Sequence, residues 1–264
     1  MVKLAIVGAG KMGGAVLTGA LRAGVLRAEE VGVYHPDEER RAALAHDYGV
    51  EALDDDGVRR AERILIGVKP QAFDRVAPLI ARRSACYLSI MAGVPAETIA
   101  RRVGSRRVIR AMPNLGARVR LSSTAVAGLP DAGQEDMAFA TELFGAIGSV
   151  HTVPESLFDA FTGLAGSGPA FTAVFAESLA DGGVRAGFGR ATARELARQV
   201  LLATATLLEE DRPADLKDEV ASAGGTAIAG LRALERHGAR YAVMRAVEEA
   251  ASRAHELSRE DDDA

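Results

Sequence analysis

The chain has 264 residues, 48% hydrophobic and 26% charged, with a formal net charge of −4, so it is globular and carries no basic excess for a nucleic-acid partner. Its one cysteine, Cys86, allows no intramolecular disulfide, and the scattered His35, His46, His151, His237 and His255 offer no metal-ligand spacing. No apolar run nears the roughly 18 residues of a membrane span, so the expectation is a cytoplasmic protein with no metal, no nucleic-acid partner and no membrane contact.

The first run, Lys3–Val7, is short, apolar and β-rich, and Gly8-Ala9-Gly10-Lys11-Met12-Gly13 follows it directly. An amphipathic stretch, Gly13–Ala23, comes next. Strand, glycine turn, helix is the arrangement that seats a dinucleotide pyrophosphate. Gly8 permits the tight turn, Gly10 leaves room for the phosphates, and Gly13 lets the helix pack on the strand. Free N–H groups and the helix dipole at that end favour an anion.

Further β-rich runs follow at Glu30–Tyr34, Arg63–Val68, Ala85–Met91, Val108–Met112, Ser123–Ala127 and Gly148–Val153. Helical patterns separate them at Asp37–Tyr48, Gln71–Ala81, Pro95–Val103 and Asp131–Phe144. Continuous apolar runs such as Ile64-Leu65-Ile66 suit parallel strands buried on both faces. Residues 1–153 therefore read as an α/β Rossmann-type domain with a parallel sheet.

In such sheets ligands bind at the carboxyl ends of the strands. Those ends are Tyr34-His35-Pro36-Asp37, Val68-Lys69-Pro70-Gln71, Met91-Ala92-Gly93 and Met112-Pro113-Asn114. An acid at the end of the second strand would hold a ribose 2′-hydroxyl; here the strand ends in Tyr34 and His35, and Asp37 comes late. Arg40 and Arg41 follow and favour NADPH over NADH if they hold a 2′-phosphate, but serve equally as solvated helix residues. The Arg106, Arg107 and Arg110 run reads as a solvated face balanced by acids. Cys86, inside an apolar run, reads as a small buried hydrophobe.

After Pro154 no β-branched run remains. Residues 154–264 read as all-α, with helices over Pro169–Ala186, Arg190–Glu210, Pro213–Ala221, Thr226–Arg236 and Arg240–Leu257, then a short acidic tail, Arg259–Ala264. Small residues at apolar positions suit close helix packing, within one chain or between subunits. Gly224-Gly225 opens the helix from Thr226, and free N–H groups there, with the Ser222 and Thr226 hydroxyls, can grip a carboxylate.

Several segments are similar to pyrroline-5-carboxylate reductases. They are Gly8–Gly13, Val68–Gln71, Arg110–Asn114, Thr162–Phe171, Ala180–Val184 and Leu216–Ile228, in the same order over nearly the whole chain. The pieces Gly166-Ser167-Gly168-Pro169-Ala170 and Ser222-Ala223-Gly224-Gly225-Thr226 are the most specific. The resemblance implies hydride transfer from NADPH or NADH to the C=N bond of a cyclic imino acid, giving L-proline. It implies a helical dimerisation domain, a homodimer often assembled further into rings, and substrate between the nucleotide domain and helices near the dimer interface. It assigns cofactor contacts to Gly8, Ala9, Gly10, Lys11, Met12, Gly13, His35, Pro36, Asp54, Val68, Lys69, Pro70, Met91, Ala92 and Asn114. It assigns substrate contacts to Glu155, Ser222, Gly224, Gly225, Thr226 and Ala227, with Thr226 and Glu219 as candidates beside the imine nitrogen.

This chain departs from the family pattern at Ala223, Ala227, Glu219, Leu115, Gly116 and Asp54. Ala227 stands where relatives carry a threonine, and Glu219 and Asp54 where many carry asparagine. Those departures keep two other readings open: reduction of a different cyclic imine, and a non-catalytic nucleotide-sensing protein. A β-hydroxyacid-dehydrogenase-like oxidoreductase needs a lysine in the helical half near Gly163–Phe171, and the four lysines, Lys3, Lys11, Lys69 and Lys217, supply none there.

Overall fold

The computed structural model describes residues 2–260. Of the acidic tail, residues 261–264 lie outside the described residues. The chain divides into two compact units, one holding residues up to Gly166 together with those from Ala250 on, the other Ser167–Glu249.

The first unit is built on eight strands: β1 (Leu4–Val7), β2 (Val31–Tyr34), β3 (Glu51–Ala52), β4 (Arg63–Ile66), β5 (Cys86–Ser89), β6 (Val108–Met112), β7 (Ser122–Gly128) and β8 (Gly148–Thr152). Their order is β3-β2-β1-β4-β5-β6-β7-β8. The sheet therefore reverses direction between β1 and β4, where doubly wound folds open a ligand crevice. The helices are α1 (Lys11–Arg22), α2 (Glu38–Tyr48), α3 (Asp55–Arg60), α4 (Pro70–Ile80), α5 (Ala96–Val103) and α6 (Gln134–Gly145). A short helix α7 (Phe158–Phe161) and a π-helical turn, Thr162–Gly166, close the segment.

Successive side chains of a strand point to opposite faces, and here both faces are covered. Leu4, Ile6, Leu65 and Leu88 pack with Val16, Leu17 and Phe144 of α1 and α6. Ala5, Val7, Ile64, Ile66 and Tyr87 pack with Val58, Phe73 and Ile99 of α3, α4 and α5. Burying each large side chain contributes about 1.5–3 kcal/mol, and β1, β4 and β5 are buried at every position.

The sheet is parallel except for one pairing: β7 lies antiparallel to β6 and parallel to β8. A parallel crossover takes a dozen or more residues. The β6–β7 connection offers only Pro113–Leu121, which holds a 3-10 turn, Leu115–Val119, so the chain must turn straight back.

The reading of Arg106, Arg107 and Arg110 as one solvated face is corrected. Arg106 stays on the surface, paired with Glu97 and Asp131, and Arg107 is half-exposed. Arg107 forks onto the buried Asp136 through bonds of 2.8 and 2.8 Å. Arg110, on β6, is itself buried. β6 is covered on both faces, so Arg110 is drawn inward, where the half-buried Glu155 compensates it, and the buried Asp136 holds Arg107 just before the strand. Arg63 is held similarly at the start of β4, with its guanidinium 4.4 Å over the Phe139 ring.

The second unit is helical: α8 (Gly168–Arg185), α9 (Arg190–Leu207), α10 (Pro213–Val220), α11 (Thr226–Arg236) and the first part of α12 (Ala239–Glu260). Gly187-Phe188-Gly189 turns α8 back on α9, which pack through Ala180, Ala193 and Ala197. Among the described residues this is the unit's whole buried cluster. Val174, Phe175, Leu196, Val200, Val243 and Met244 remain exposed.

Candidate functional site

The glycine turn occupies the crevice at the β1–β4 reversal. Gly8 has φ of +96°, and a Cβ there would lie 2.6 Å from the Gly67 carbonyl carbon. Only glycine meets both demands. A Cβ on Gly13 would lie 2.5 Å from the Gly8 carbonyl oxygen, so this glycine permits α1 to start against the turn. Gly10 differs: a Cβ there would meet nothing within 4 Å. Its missing side chain relieves no crowding in the protein itself and leaves open space beside the helix end. Gly10 is the N-cap of α1, with no side-chain cap and no acid in the first turn. Ala9 is buried in the core while Gly10 and Lys11 are exposed. An end with free N–H groups, a positive dipole and open space fits a pyrophosphate.

At the end of β2 the acids have other tasks. Asp37 caps α2 by accepting the Arg40 N–H at 2.9 Å, and its own N–H donates to His35 Nδ1 at 3.0 Å. The Tyr34 hydroxyl donates to Asp55 Oδ1 at 2.6 Å. Asp54 caps α3 by accepting the Gly57 N–H at 2.6 Å. Pro36 is exposed. Arg41 Nη1 donates to the His35 carbonyl at 3.3 Å, which brings its guanidinium to the strand end, whereas the Arg40 side chain forms no bond among the described residues. A cation at the strand end with no uncommitted acid matches a 2′-phosphate better than a bare ribose hydroxyl.

Beyond β4 and β5 a cavity of about 290 Å³ is lined by Pro70, Gln71, Ala92, Gly93, Arg110 and Thr162, among others. Val68 is half-buried, Lys69 is exposed as the N-cap of α4, and Met91 is packed in the core. The cavity thus gathers the ends of two strands that sequence flagged separately. Asn114 braces the following turn: its Oδ1 accepts the Gly116 N–H at 3.0 Å and its Nδ2 donates to the Ala165 carbonyl at 2.9 Å.

Glu155 belongs to this first unit. Its Oε1 accepts from Arg110 Nη1 at 2.8 Å and from the Ala96 N–H at 2.8 Å. Arg110 also lies 4.7 Å over the Phe158 ring. Sequence reasoning named Gln71 and Gly93 only as parts of ligand-binding strand ends, and missed Arg110, whose only signal was a cation inside a buried strand pattern, and Thr162 as cavity walls.

In the second unit, the loop Ala221–Gly225 leads into α11. Gly224 has φ of +68°, and the Gly225 N–H donates to the Ser222 carbonyl at 3.0 Å. The N-cap Gly225 offers no side chain, and the first turn of α11 holds no acid. Thr226, Ala227 and Ile228 therefore present free backbone N–H groups, with the exposed Ser222 and Thr226 hydroxyls close by in sequence. Beside it, Lys217, Gly224, Gly225, Ile228 and Arg232 line a groove of about 470 Å³. Glu219 is exposed on α10 and makes no hydrogen bond or ion pair among the described residues.

A doubly wound sheet with a glycine turn at its switch point, followed by a separate helical unit, defines a two-part, Rossmann-type oxidoreductase. The comparisons specify which. Residues 155–257 match the family model described as pyrroline-5-carboxylate reductase dimerisation, and residues 3–93 match one described as NADP oxidoreductase, coenzyme F420-dependent. A pyrroline-5-carboxylate reductase of Thermus thermophilus is 51% identical, covering 97% of this chain and 98% of that one. One from Synechocystis is 40% identical over 98% of this chain and 99% of its own length. The crystal structure of the Plasmodium falciparum pyrroline carboxylate reductase with NADP bound superposes with a TM-score of 0.85 at 27% identity, covering 97% of this chain and 98% of that one. That of the Streptococcus pyogenes enzyme superposes with a TM-score of 0.83 at 32% identity, covering 96% and 98%. The chain belongs to the pyrroline-5-carboxylate reductase family.

Proposed function

We propose that this protein reduces 1-pyrroline-5-carboxylate to L-proline with NADPH. The carrying observation is the split among the three glycines: Gly8 and Gly13 are forced by backbone contacts, while Gly10 is free of any. That pattern fits a pyrophosphate filling the open space at the start of α1. Likeness to reductases of this name over 97% of the chain supplies the substrate.

Bound NADPH supplies a hydride for the C=N carbon, and the protonated imine nitrogen keeps its proton in the secondary amine product. The protein's part is to bind and orient. Residues Gly8–Gly13 would hold the pyrophosphate; His35, Pro36 and Arg41 would border the adenosine ribose, with Asp54 just after β3, the strand paired to β2. Val68, Lys69, Pro70, Met91, Ala92 and Asn114 border the nicotinamide half. The substrate carboxylate is gripped by the free N–H groups of Thr226 and Ala227 with the Ser222 and Thr226 hydroxyls, on the backbone turn that Gly224 and Gly225 shape. Thr226 and Glu219 are the candidates beside the imine nitrogen. The geometry of Glu155 supports a supporting role, through Arg110 and the start of α5, ahead of direct substrate contact.

The functional boundary is proposed at 153/154, after β8 ends at Thr152 and just before the dimerisation match begins at residue 155. The exposed apolar side chains of α8, α9 and α12 support a homodimer, and a ring of such dimers is the further assembly proposed. A cytoplasmic, reducing setting suits the single, buried Cys86. Among the described residues no helix is long and apolar enough to cross a membrane. NADPH oxidation with 1-pyrroline-5-carboxylate and with a six-membered cyclic imino acid tests the reading. Turnover of the larger ring alone would overturn the substrate, and turnover of neither would overturn the activity.

A further inference from the structure

The outer side of α1 carries a second feature that the reductase chemistry leaves unused. A groove of about 290 Å³ runs along this helix, lined by Lys11, Thr18, Arg22, Tyr48, Arg118 and Arg120 together with small residues. Lys11, Thr18 and Arg22 share one face of α1 by their spacing. Arg118 and Arg120 come from the turn after β6, and Tyr48 from the end of α2. The lining holds four cationic side chains and no carboxylate. None of the four forms an ion pair among the described residues, and this concentration of positive charge stands in a chain whose net charge is −4. Concentrated, uncompensated positive charge around a concave wall focuses a potential that draws anions.

The backbone adds an independent sign. Arg120 has φ of +61° and is the only non-glycine residue among those described with a positive φ. A left-handed residue at the end of a short helical turn is ordinarily glycine or asparagine. An arginine there costs backbone strain that its side chain must justify. That side chain is aimed: Nε donates to the Ala146 carbonyl at 3.3 Å. One nitrogen is thereby fixed, and both terminal nitrogens are left for a ligand. The turn cannot relax easily, because a Cβ on Gly116 would collide with the Leu121 carbonyl.

We propose that this groove is a second anion site, separate from the glycine turn, that takes a compact phosphate-bearing ligand. Arginines supply forked donors to the phosphate oxygens and the Thr18 hydroxyl closes the near side, while Lys11, within the glycine turn, is left to the cofactor. The turn that carries Arg118 and Arg120 begins at Asn114, whose side chain braces both Gly116 and the Ala165 carbonyl. Occupancy of the groove therefore acts on the turn that Asn114 opens, two residues beyond the end of β6.

Calorimetric titration of the full chain tests this, with NADPH at saturation so that the glycine turn is filled. Inorganic phosphate, pyrophosphate and a sugar phosphate are the probes. Binding of at least one is expected to persist under NADPH. A sugar phosphate binding tighter than both inorganic ions identifies a phosphorylated metabolite, and the reverse order identifies a free phosphate. Arg22→Gln with Arg118→Gln should weaken that binding about tenfold or more and leave reductase kinetics without phosphate unchanged. Arg120→Gly relieves the backbone, so it should hold or raise the melting temperature while weakening the anion. Binding that NADPH abolishes, or that both variants retain in full, or no binding of any probe, would overturn the site.

Discussion

Arg110 on β6 donates through Nη1 to Glu155 Oε1 at 2.8 Å, and the same oxygen accepts the Ala96 N–H that opens α5 at 2.8 Å. One carboxylate thus compensates a buried guanidinium and a helix start. Arg110 is only 8% exposed in its side chain and Glu155 32%. Removing a partner from a fully buried pair costs about 3–5 kcal/mol, and the exposure of Glu155 reduces that. Glu155→Ala is predicted to destabilise the first unit by about 1–3 kcal/mol, read as a lowered urea midpoint. Unchanged stability with a large loss of kcat/KM would instead make Glu155 a substrate contact.

The glycines of the turn should separate by experiment. Gly10→Val is predicted to abolish NADPH binding, read by fluorescence titration, with the melting temperature nearly unchanged, because the new side chain enters open space. Gly8→Ala should instead destabilise the fold, because its Cβ would lie 2.6 Å from Gly67 in a backbone conformation of φ +96°. Equal effects of the two changes on folding would contradict this division.

Cofactor choice should follow Arg41 rather than Arg40. Arg41 reaches the end of β2 through the His35 carbonyl. A charge-assisted bond contributes about 1.5–3 kcal/mol, so Arg41→Ala should raise the KM for NADPH about tenfold or more while leaving NADH nearly unaffected. Arg40→Ala should change neither. Equal losses for both cofactors on Arg41→Ala would remove it from a 2′-phosphate site.

At the substrate loop, Thr226→Ala should lower kcat/KM for 1-pyrroline-5-carboxylate by about ten- to a hundredfold, the loss of one charge-assisted hydrogen bond. Ala227→Thr should leave it equal or better. Steady-state kinetics of both variants decide the point; indifference to Thr226→Ala would reduce the loop to a helix start with no ligand.

Alkaline pH should weaken the fold. Burial pushes the Cys86 thiol up to about 12 from an ordinary 9.0, and the nearby Asp136 adds to the rise. Burial likewise pushes the Tyr87 phenol up to about 12 from 10.0. Such groups hold their protons in the folded state at a pH where the unfolded chain has released them. Their stabilisation is complete below about pH 9 and is lost as pH rises toward about 12. Melting temperature should fall across that window, and Cys86 should resist iodoacetamide in the native protein at neutral pH. Rapid native labelling would contradict its burial.

The sequence by itself determined whatever depends on neighbours in the chain. Apolar runs such as Leu4–Val7 and Ile64–Ile66 announced two-faced strands, Gly8–Gly13 announced the turn, and the loss of β-branched runs after Pro154 announced the helical half. The short β3 and α3 escaped because two paired residues and one capped turn carry no periodicity. The antiparallel β7 followed from a connection too short for a crossover, which became legible only once both strand ends were fixed. Pairings of distant residues were decided by the tertiary structure alone: Arg110 with Glu155, Arg107 with Asp136, and Arg22 of α1 facing the same groove as Arg118. Charge in a sequence says that a partner is needed; only the fold sets which group stands within reach, because Coulomb attraction and hydrogen bonding act through space while periodicity acts along the chain.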